Sequence, residues 1–241
     1  MAEPLSVPNG ELRLVDDVEV AFADLVAAEL GSAVAEGRAT QRAPFRLVLS
    51  GGSTAKACYT ELATRSGLPW ERVECLVGDE RCVPPDDPAA NQAMIRAALI
   101  DRVTPTPAFQ PMDCAQPPAA YAEVLVEAGH LDLVHLGLGP DGHTASLFPG
   151  SAALEAPPGR LVDRNTDPSG RNPHERLTLT LAGIGLARLV VFTVAGPEKH
   201  EALAHALAHH DLPATRVRAD RVVWLCDASA ALGAGLGRVG A

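Results

Sequence analysis

The sequence is short of basic and of aromatic residues. Lys and Arg number 20 against 30 Asp and Glu, which gives a formal net charge of -10. Because nucleic acids and anionic membranes are bound by basic surfaces, we expect neither as a partner. Aromatic residues make up only 4% of the chain, so the core must be built from Ala, Val and Leu. An anionic small molecule stays compatible with this charge, since a few cations in one cleft can outweigh the overall sign locally.

Cysteine pairs, metal motifs and long apolar runs are also lacking. The five cysteines are odd in number and scattered, with no CxxC pair, and this pattern predicts reduced thiols. Neither a zinc site nor a catalytic metal is expected, because no HExxH or similar cluster occurs. The first five residues have no signal-peptide character, and no apolar run is long enough to span a bilayer. These features predict a cytoplasmic protein.

Short β-rich runs alternate with Ala-rich stretches of helical periodicity. This alternation predicts an α/β fold, a Rossmann-like open and mainly parallel sheet with helices on both faces. Without repeats or a shift in composition, we expect a single domain over residues 1–241. Pro and Gly clusters predict surface loops at 84–88, 105–118 and 156–173. The predicted strands are 12–15, 45–50, 73–77, 133–138, 189–195 and 222–226, and the predicted helices are 18–35, 54–64, 89–100, 119–128 and 198–209.

Glycine and polar residues follow four of the predicted strands. Open parallel sheets bind ligands beyond the carboxyl ends of their strands. We therefore expect these four segments to meet in one active-site cleft. They are residues 50–54, 78–81, 137–144 and 196–199.

The segment Ser50–Thr54 joins a buried strand to a helix and is rich in glycine. Glycines let backbone N–H groups approach an anion closely, and the helix dipole favours negative charge there. A plain tight turn with a helix cap is the simpler alternative. A third possibility is a nucleophile elbow, because residues 51–55 nearly match GxSxG, but the last glycine is missing and no Asp and then His follow at the required places.

The segment Gly137–Gly142 matches the GxGxxG dinucleotide fingerprint and follows a strand. The rest of that motif is missing. Only about one helical turn fits before Phe148, and no acidic strand end stands about twenty residues later. We therefore expect no nucleotide cofactor, and no other cofactor is indicated.

The same loop carries His143 and Asp141. A loop histidine can reach solvent, and its ordinary pKa suits proton transfer at neutral pH. A neighbouring carboxylate could fix its tautomer and stabilise the imidazolium, as in hydrolytic triads. The alternative is a histidine with a structural hydrogen bond.

Two cations stand at other strand ends. Arg81 offers a charged fork suited to phosphate or carboxylate, although it could also form a surface ion pair. Lys199 lies at a helix start, where the dipole disfavours a cation unless an anion is present. A solvated charge is the alternative reading of Lys199.

Taken in order, these segments resemble the 6-phosphogluconolactonase family, in the superfamily that also contains glucosamine-6-phosphate deaminase. The stretch DGHTASLFP, residues 141–149, is the most specific. Deaminases carry a glutamate in the corresponding stretch and tend to have an aromatic residue where this chain has Arg81, so the resemblance favours the lactonases. The matching segments are residues 49–54, 78–81, 137–149, 175–180 and 194–199.

The resemblance implies hydrolysis of 6-phospho-D-glucono-1,5-lactone to 6-phospho-D-gluconate in the oxidative pentose phosphate pathway, without a metal. His143 would activate water, Asp141 would orient the imidazole, and N–H groups near Gly139 would support the oxyanion. The roles of Arg171 and Arg176 stay open, and we expect a monomer or a small homo-oligomer. A module that binds the sugar phosphate without chemistry and a deaminase are the alternatives. The implied substrate-binding residues are Gly51, Gly52, Ser53, Arg81, Gly139 and Lys199.

Overall fold

The computed structural model describes residues 5–208 and 211–232, and in these residues strands and helices alternate along most of the chain. The strands are β1 (Leu5–Val7), β2 (Gly10–Val15), β3 (Phe45–Leu49), β4 (Val73–Val77), β5 (Asp79–Arg81), β6 (Ala108–Gln110), β7 (Leu131–Gly137), β8 (Val162–Asn165), β9 (Arg176–Leu179), β10 (Ala187–Val194) and β11 (Arg221–Asp227). The helices are α1 (Val18–Ala35), α2 (Ser53–Leu62), α3 (Asn91–Ala98), α4 (Pro118–Ala128), α5 (Leu181–Ile184), α6 (His200–Ala208), α7 (Pro213–Arg216) and α8 (Ala228–Leu232). Short 3₁₀ turns cover Trp70–Arg72, Ile100–Arg102, Ala152–Glu155 and Pro197–Lys199.

The central sheet confirms the predicted α/β architecture. Across the described ranges its strand order is β1-β2-β11-β10-β7-β3-β4-β6. Every neighbouring pair from β2 to β6 is parallel, and only β1 runs antiparallel, against β2. Strands β7 and β10 have long runs of consecutive buried residues, as expected where both faces of a sheet are covered.

Sequence periodicity placed the six long strands and five long helices close to their observed bounds. Helix α1 matches the predicted residues 18–35, and it begins after Asp17, whose side chain accepts the N–H of Val20 at 2.8 Å. The last predicted helix starts two residues later than expected, at His200, because a 3₁₀ turn precedes it. Its predicted end at His209 and the first four residues of the chain lie outside the described residues.

A second sheet, which the sequence analysis missed, lies beside the first. It is antiparallel, in the order β5-β9-β8. The predicted loop 156–173 is therefore wrong in part, since it contains β8. The predicted loop 105–118 is also wrong in part, because it contains β6 of the central sheet. Strands of three or four residues are too short to show a period of two in the sequence. This small sheet matters because it carries Asp79, Arg81 and Arg176.

The prediction that all cysteines are reduced is wrong for two of them. Cys82 and Cys114 form a disulfide, with their Cα atoms 5.3 Å apart. They are 32 residues apart in the chain, so only the pairing of β4 with β6 brings them together. Cys58, Cys75 and Cys226 are buried thiols. Burial raises the pKa of Cys58 and of Cys226 to about 12, so both stay protonated.

None of the helices in the described ranges is long and apolar enough to cross a membrane.

Candidate active site

The four predicted strand ends meet in one cavity. The strands concerned, β10, β7, β3 and β4, are direct neighbours in the sheet, so their carboxyl ends lie side by side. The cavity has a volume of about 210 Å³. Of the predicted site residues, all but Asp141 line it, namely Gly51, Gly52, Ser53, Arg81, Gly139, His143 and Lys199.

The residues that line the cavity carry a net positive charge, opposite in sign to that of the whole chain. Three permanent cations, Arg81, Arg176 and Lys199, line the cavity against one carboxylate, Asp79. A chain with a formal net charge of -10 thus holds a locally cationic pocket. Such a pocket suits an anionic ligand.

The turn after β3 is shaped for a close approach by a ligand. Gly52 has a φ of 105°, a backbone conformation that residues other than glycine rarely adopt. A Cβ on Gly51 would lie 1.9 Å from Oδ1 of Asn91, so only glycine fits. Helix α2 begins at Ser53, and the N–H groups of its first turn have no partner within the helix. The turn and the helix start together offer backbone donors to an anion.

His143 and Asp141 form a close pair on the loop after β7. Nδ1 of His143 lies 2.5 Å from Oδ1 of Asp141, which also accepts the backbone N–H of His143 at 3.1 Å. The carboxylate thereby fixes Nδ1 as the protonated nitrogen and leaves Nε2 as an acceptor. The ring of Phe148 packs against the imidazole, with centroids 5.0 Å apart. The imidazole side chain is 20% exposed, so water reaches it.

Gly139 makes room for this histidine. A Cβ on Gly139 would lie 2.1 Å from the imidazole ring, so the glycine is required by the position of His143. Its N–H donates to the carbonyl of His143 at 2.8 Å. The N–H of Gly139 itself is therefore already used, and the expectation that N–H groups near Gly139 support an oxyanion stays a prediction for its neighbours.

In the segment Asp79–Arg81, Glu80 has a structural role and Arg81 lines the cavity. Glu80 is buried and accepts the N–H groups of Asn91 and Gln92 at 2.7 and 2.8 Å, which caps helix α3. Burial raises the pKa of its carboxyl group, although these hydrogen bonds act in the opposite direction. Arg81 donates from Nη1 to the carbonyl of Ala89 at 2.6 Å, which holds its guanidinium at the cavity wall.

Lys199 lies at a helix start, where the helix dipole disfavours a cation, and its ammonium group has a hydrogen-bond partner there. Its Nζ donates to the carbonyl of Leu138, the residue directly after β7, at 2.9 Å. The ammonium group is therefore held next to the loop that carries His143. Two further donors of Nζ remain for a ligand.

Arg176 is a cavity residue that the sequence analysis left without a role. It is only 6% exposed, and its Nε is buried without a hydrogen-bond partner. Nη1 lies 3.8 Å from Asp79 and 3.4 Å from Oγ of Ser146, so its charge is only partly compensated. Burial lowers the pKa of the guanidinium. A buried cation with spare donors at a cavity is a candidate contact for an anion.

The long loop before β9 also reaches the cavity, through Asn172. Asp167 holds this loop by accepting the backbone and side-chain N–H groups of Asn172 at 3.0 and 2.8 Å. It also accepts both the N–H and the hydroxyl of Ser169. The loop thus has an ordered conformation that sequence composition did not indicate.

Nowhere in residues 5–208 and 211–232 do three or more His, Cys, Asp or Glu side chains form a group that could hold a metal ion.

Fold and cavity together define the class: an α/β protein with an anion-suited site beyond the carboxyl ends of a parallel sheet. Residues 16–224 match the family described as glucosamine-6-phosphate isomerases/6-phosphogluconolactonase, and the chain belongs to this family.

Known proteins with similar sequences and structures agree with this placement. A 6-phosphogluconolactonase of Synechocystis sp. is 40% identical over 212 residues, which cover 79% of this chain and 85% of that protein. Another, from Mycobacterium tuberculosis, is 35% identical over 84% of this chain and 88% of its own length. The crystal structure of a 6-phosphogluconolactonase from Thermotoga maritima superposes with a TM-score of 0.77 at 30% identity, covering 90% of this chain and 98% of that one. The family resemblance inferred from the motifs is confirmed.

Proposed function

We propose that this chain hydrolyses 6-phospho-D-glucono-1,5-lactone to 6-phospho-D-gluconate, as the names of its relatives indicate for those proteins. The observation that carries the proposal is the His143–Asp141 pair, 2.5 Å apart, at a cavity that also contains the glycine turn and three cations. The substrate has the matching parts, an electrophilic lactone carbonyl at one end and a phosphate at the other.

The histidine acts as a general base and then as a general acid. Nε2 of His143 takes a proton from water as the water oxygen attacks the lactone carbonyl. Asp141 holds the imidazole in orientation and stabilises the imidazolium that forms. The bond from the carbonyl carbon to the ring oxygen then breaks, and the imidazolium returns the proton to the leaving oxygen. One well-placed base contributes about 10² to 10⁴ in rate, which suffices for an ester as reactive as a δ-lactone.

The phosphate binds at the turn after β3. Backbone donors of Gly51, Gly52 and Ser53 and the start of α2 hold its oxygens. Arg81 and Lys199, which line the same cavity, supply charge-assisted hydrogen bonds. These groups bind the end of the substrate that does not react, so they contribute to affinity more than to the chemical step.

A direct assay tests the reaction. We expect lactone hydrolysis by the wild-type chain, corrected for spontaneous ring opening in a pH-stat, and no deamination of glucosamine-6-phosphate. His143→Ala lowers kcat by about 10² to 10⁴ while 6-phosphogluconate still binds. His130→Ala is the matched control, because that histidine also lies beside an aspartate, Asp132, at 3.6 Å but at the amino ends of the strands.

Three outcomes contradict the proposal. Deamination without lactone hydrolysis would make the chain a deaminase. Binding of 6-phosphogluconate without turnover would make it a binding module. Equal activity of His143→Ala and wild type would remove the histidine from the mechanism.

We also propose a cytoplasmic location and a monomer or small homo-oligomer. Phosphorylated sugars are made and used inside the cell, and this supports the location. The Cys82–Cys114 disulfide is uncommon in that compartment. Cell fractionation tests the location, and recovery of the chain outside the cytoplasmic fraction would contradict it. Light scattering of the purified chain measures the oligomeric state.

A further inference from the structure

A chain of buried hydrogen bonds runs behind the cavity wall and plays no part in the mechanism above. At its centre is His135, fully buried in β7 between β3 and β10. Its Nδ1 lies 2.8 Å from Oη of Tyr59, and its Nε2 lies 2.8 Å from Oγ1 of Thr193. The ring of Phe22 packs on the imidazole, with centroids 4.2 Å apart. Both ring nitrogens are therefore used, and the ring has no access to solvent.

One end of this chain is the first residue of the phosphate-binding turn. Tyr59 lies on α2, the helix that follows the turn, and its hydroxyl reaches back to Ser50. The N–H of Ser50 donates to Tyr59 Oη at 2.7 Å, and the carbonyl of Ser50 lies 3.1 Å from the same oxygen. Oγ of Ser50 donates to the carbonyl of His135 at 2.7 Å. Helix, turn and β7 are thereby fastened together, which fixes the direction of the helix start.

The other end of the chain reaches the cavity through Thr193. Thr193 lies on β10 and pairs with Gly137 at the end of β7. It lines the cavity together with Ser50.

The distances assign the tautomer of His135. Tyr59 Oη accepts the N–H of Ser50 at 2.7 Å and donates its own proton to the Ser50 carbonyl at 3.1 Å. The 2.8 Å contact with His135 is therefore a hydrogen bond that Nδ1–H of His135 donates to Tyr59 Oη. Nε2 is then the acceptor, and it takes the hydroxyl proton of Thr193 at 2.8 Å. In this arrangement each of these buried polar groups has a partner, including the carbonyl of Ser50.

Burial keeps the imidazole neutral. It lowers the pKa of His135 to about 3, so the ring donates at one nitrogen and accepts at the other throughout the neutral range. A protonated ring would donate at both nitrogens and would break the hydrogen bond from Thr193 to Nε2.

We propose that His135 is a positioning residue for the phosphate end of the substrate: as the Nδ1–H tautomer it holds the Ser50–Ser53 turn through Tyr59, and the hydroxyl of Thr193 fixes that tautomer from the cavity side. This inference rests on the proposed function. His135 itself touches no substrate atom and transfers no proton. Its loss therefore acts on affinity for the phosphate and leaves the chemical step nearly intact.

A pair of tyrosine variants separates positioning from stability. Tyr121 is the control, because its buried hydroxyl likewise bonds the N–H and carbonyl of one strand-end residue, Val77, at 2.9 and 3.0 Å. Tyr59→Phe and Tyr121→Phe should lower the Tm by similar amounts. Only Tyr59→Phe should raise KM for the lactone and the competitive inhibition constant of inorganic phosphate, each about tenfold, with kcat within about twofold. Equal effects of both variants on KM, or no effect of Tyr59→Phe, would overturn the proposal.

Two further measurements address Thr193 and the tautomer. Thr193→Val removes the hydroxyl that donates to Nε2 and should weaken phosphate inhibition about tenfold, and Thr193→Ser, which keeps the hydroxyl, should restore it. Nitrogen chemical shifts of the histidine-labelled full chain should show His135 as the Nδ1–H tautomer. An Nε2–H tautomer, or a valine variant that binds phosphate like wild type, would overturn the proposal. Calorimetry measures phosphate binding without any turnover, so it tests the role of His135 by itself. A wild type that lacks lactonase activity would refute the proposed function and leave the calorimetric test valid.

Discussion

The side chain of Asn91 fills the space that a Cβ on Gly51 would need, with Oδ1 only 1.9 Å from that position. Asn91 is itself fixed, because its Nδ2 donates to the carbonyl of Asp79 at 2.7 Å. Gly51→Ala therefore displaces either the turn or the strand that carries Asp79.

We predict that Gly51→Ala raises KM for the lactone at least about tenfold and lowers the free energy of unfolding by about 1–3 kcal/mol. Gly31→Ala is the control, since Gly31 lies within α1 with no atom near its Cβ position, and it should stabilise by about 0.5–1 kcal/mol. Steady-state kinetics and urea unfolding measure both effects. A Gly51→Ala variant with wild-type KM would show that the turn does not bind the substrate.

Lys199 should act on affinity. Lys199→Met keeps the aliphatic stem but removes the ammonium group that donates to the Leu138 carbonyl. We expect KM and the inhibition constant of phosphate to rise about tenfold or more, with kcat changed little. Lys56→Met removes the same charge from an exposed position of α2 and should leave both constants unchanged. A loss of kcat at saturating lactone in Lys199→Met would instead place the lysine at the reacting carbonyl.

Arg176 should contribute both to binding and to stability. Its guanidinium is buried, and the carboxylate of Asp79, which is also buried, lies 3.8 Å away. Removing one partner of a buried ion pair leaves the other charge uncompensated, which costs about 3–5 kcal/mol. Arg176→Met should therefore lower the Tm while it weakens inhibition by 6-phosphogluconate about tenfold or more. A lower Tm with unchanged inhibition would assign the residue a structural role only.

His135 should make stability depend on pH. Burial lowers its pKa to about 3 in the folded chain, against about 6.5 when unfolded. Between these values the unfolded chain binds a proton that the folded chain does not, so the free energy of unfolding falls as the pH falls below about 6.5. The slope from this residue reaches about 1.4 kcal/mol per pH unit.

Urea unfolding of the wild type and of His135→Gln between about pH 4 and pH 7.5 isolates this contribution. The wild-type slope should be steeper by about the amount given above. Equal slopes in the two proteins would mean that His135 is not the group responsible.

The parallel sheet and the cavity were predictable because both depend on local patterns. Continuous apolar runs such as Leu47–Leu49 mark buried strands, and glycine beside polar residues marks the ends that face a ligand. His143 and Lys199 could be selected for the same reason, as each lies in the segment that follows a strand end.

Features that depend on tertiary contacts could not be predicted in this way. The N–H of Gly139 looks free in the sequence, but in the fold it donates to the carbonyl of His143. Cys82 and Cys114 show no pairing pattern because the strands that bring them together are distant in the chain. Arg176 lies on a four-residue strand, which is too short to indicate which face its side chain occupies.

The central claim is that Asp141 acts through His143 as one catalytic unit, and a double-mutant cycle on kcat for lactone hydrolysis tests it most directly. Asp141→Asn alone should lower kcat by about 10² to 10⁴, and His143→Ala by at least as much. If the two act together, the double variant is no slower than His143→Ala alone. Effects that multiply in the double variant would contradict the account, since the carboxylate would then work independently of the imidazole.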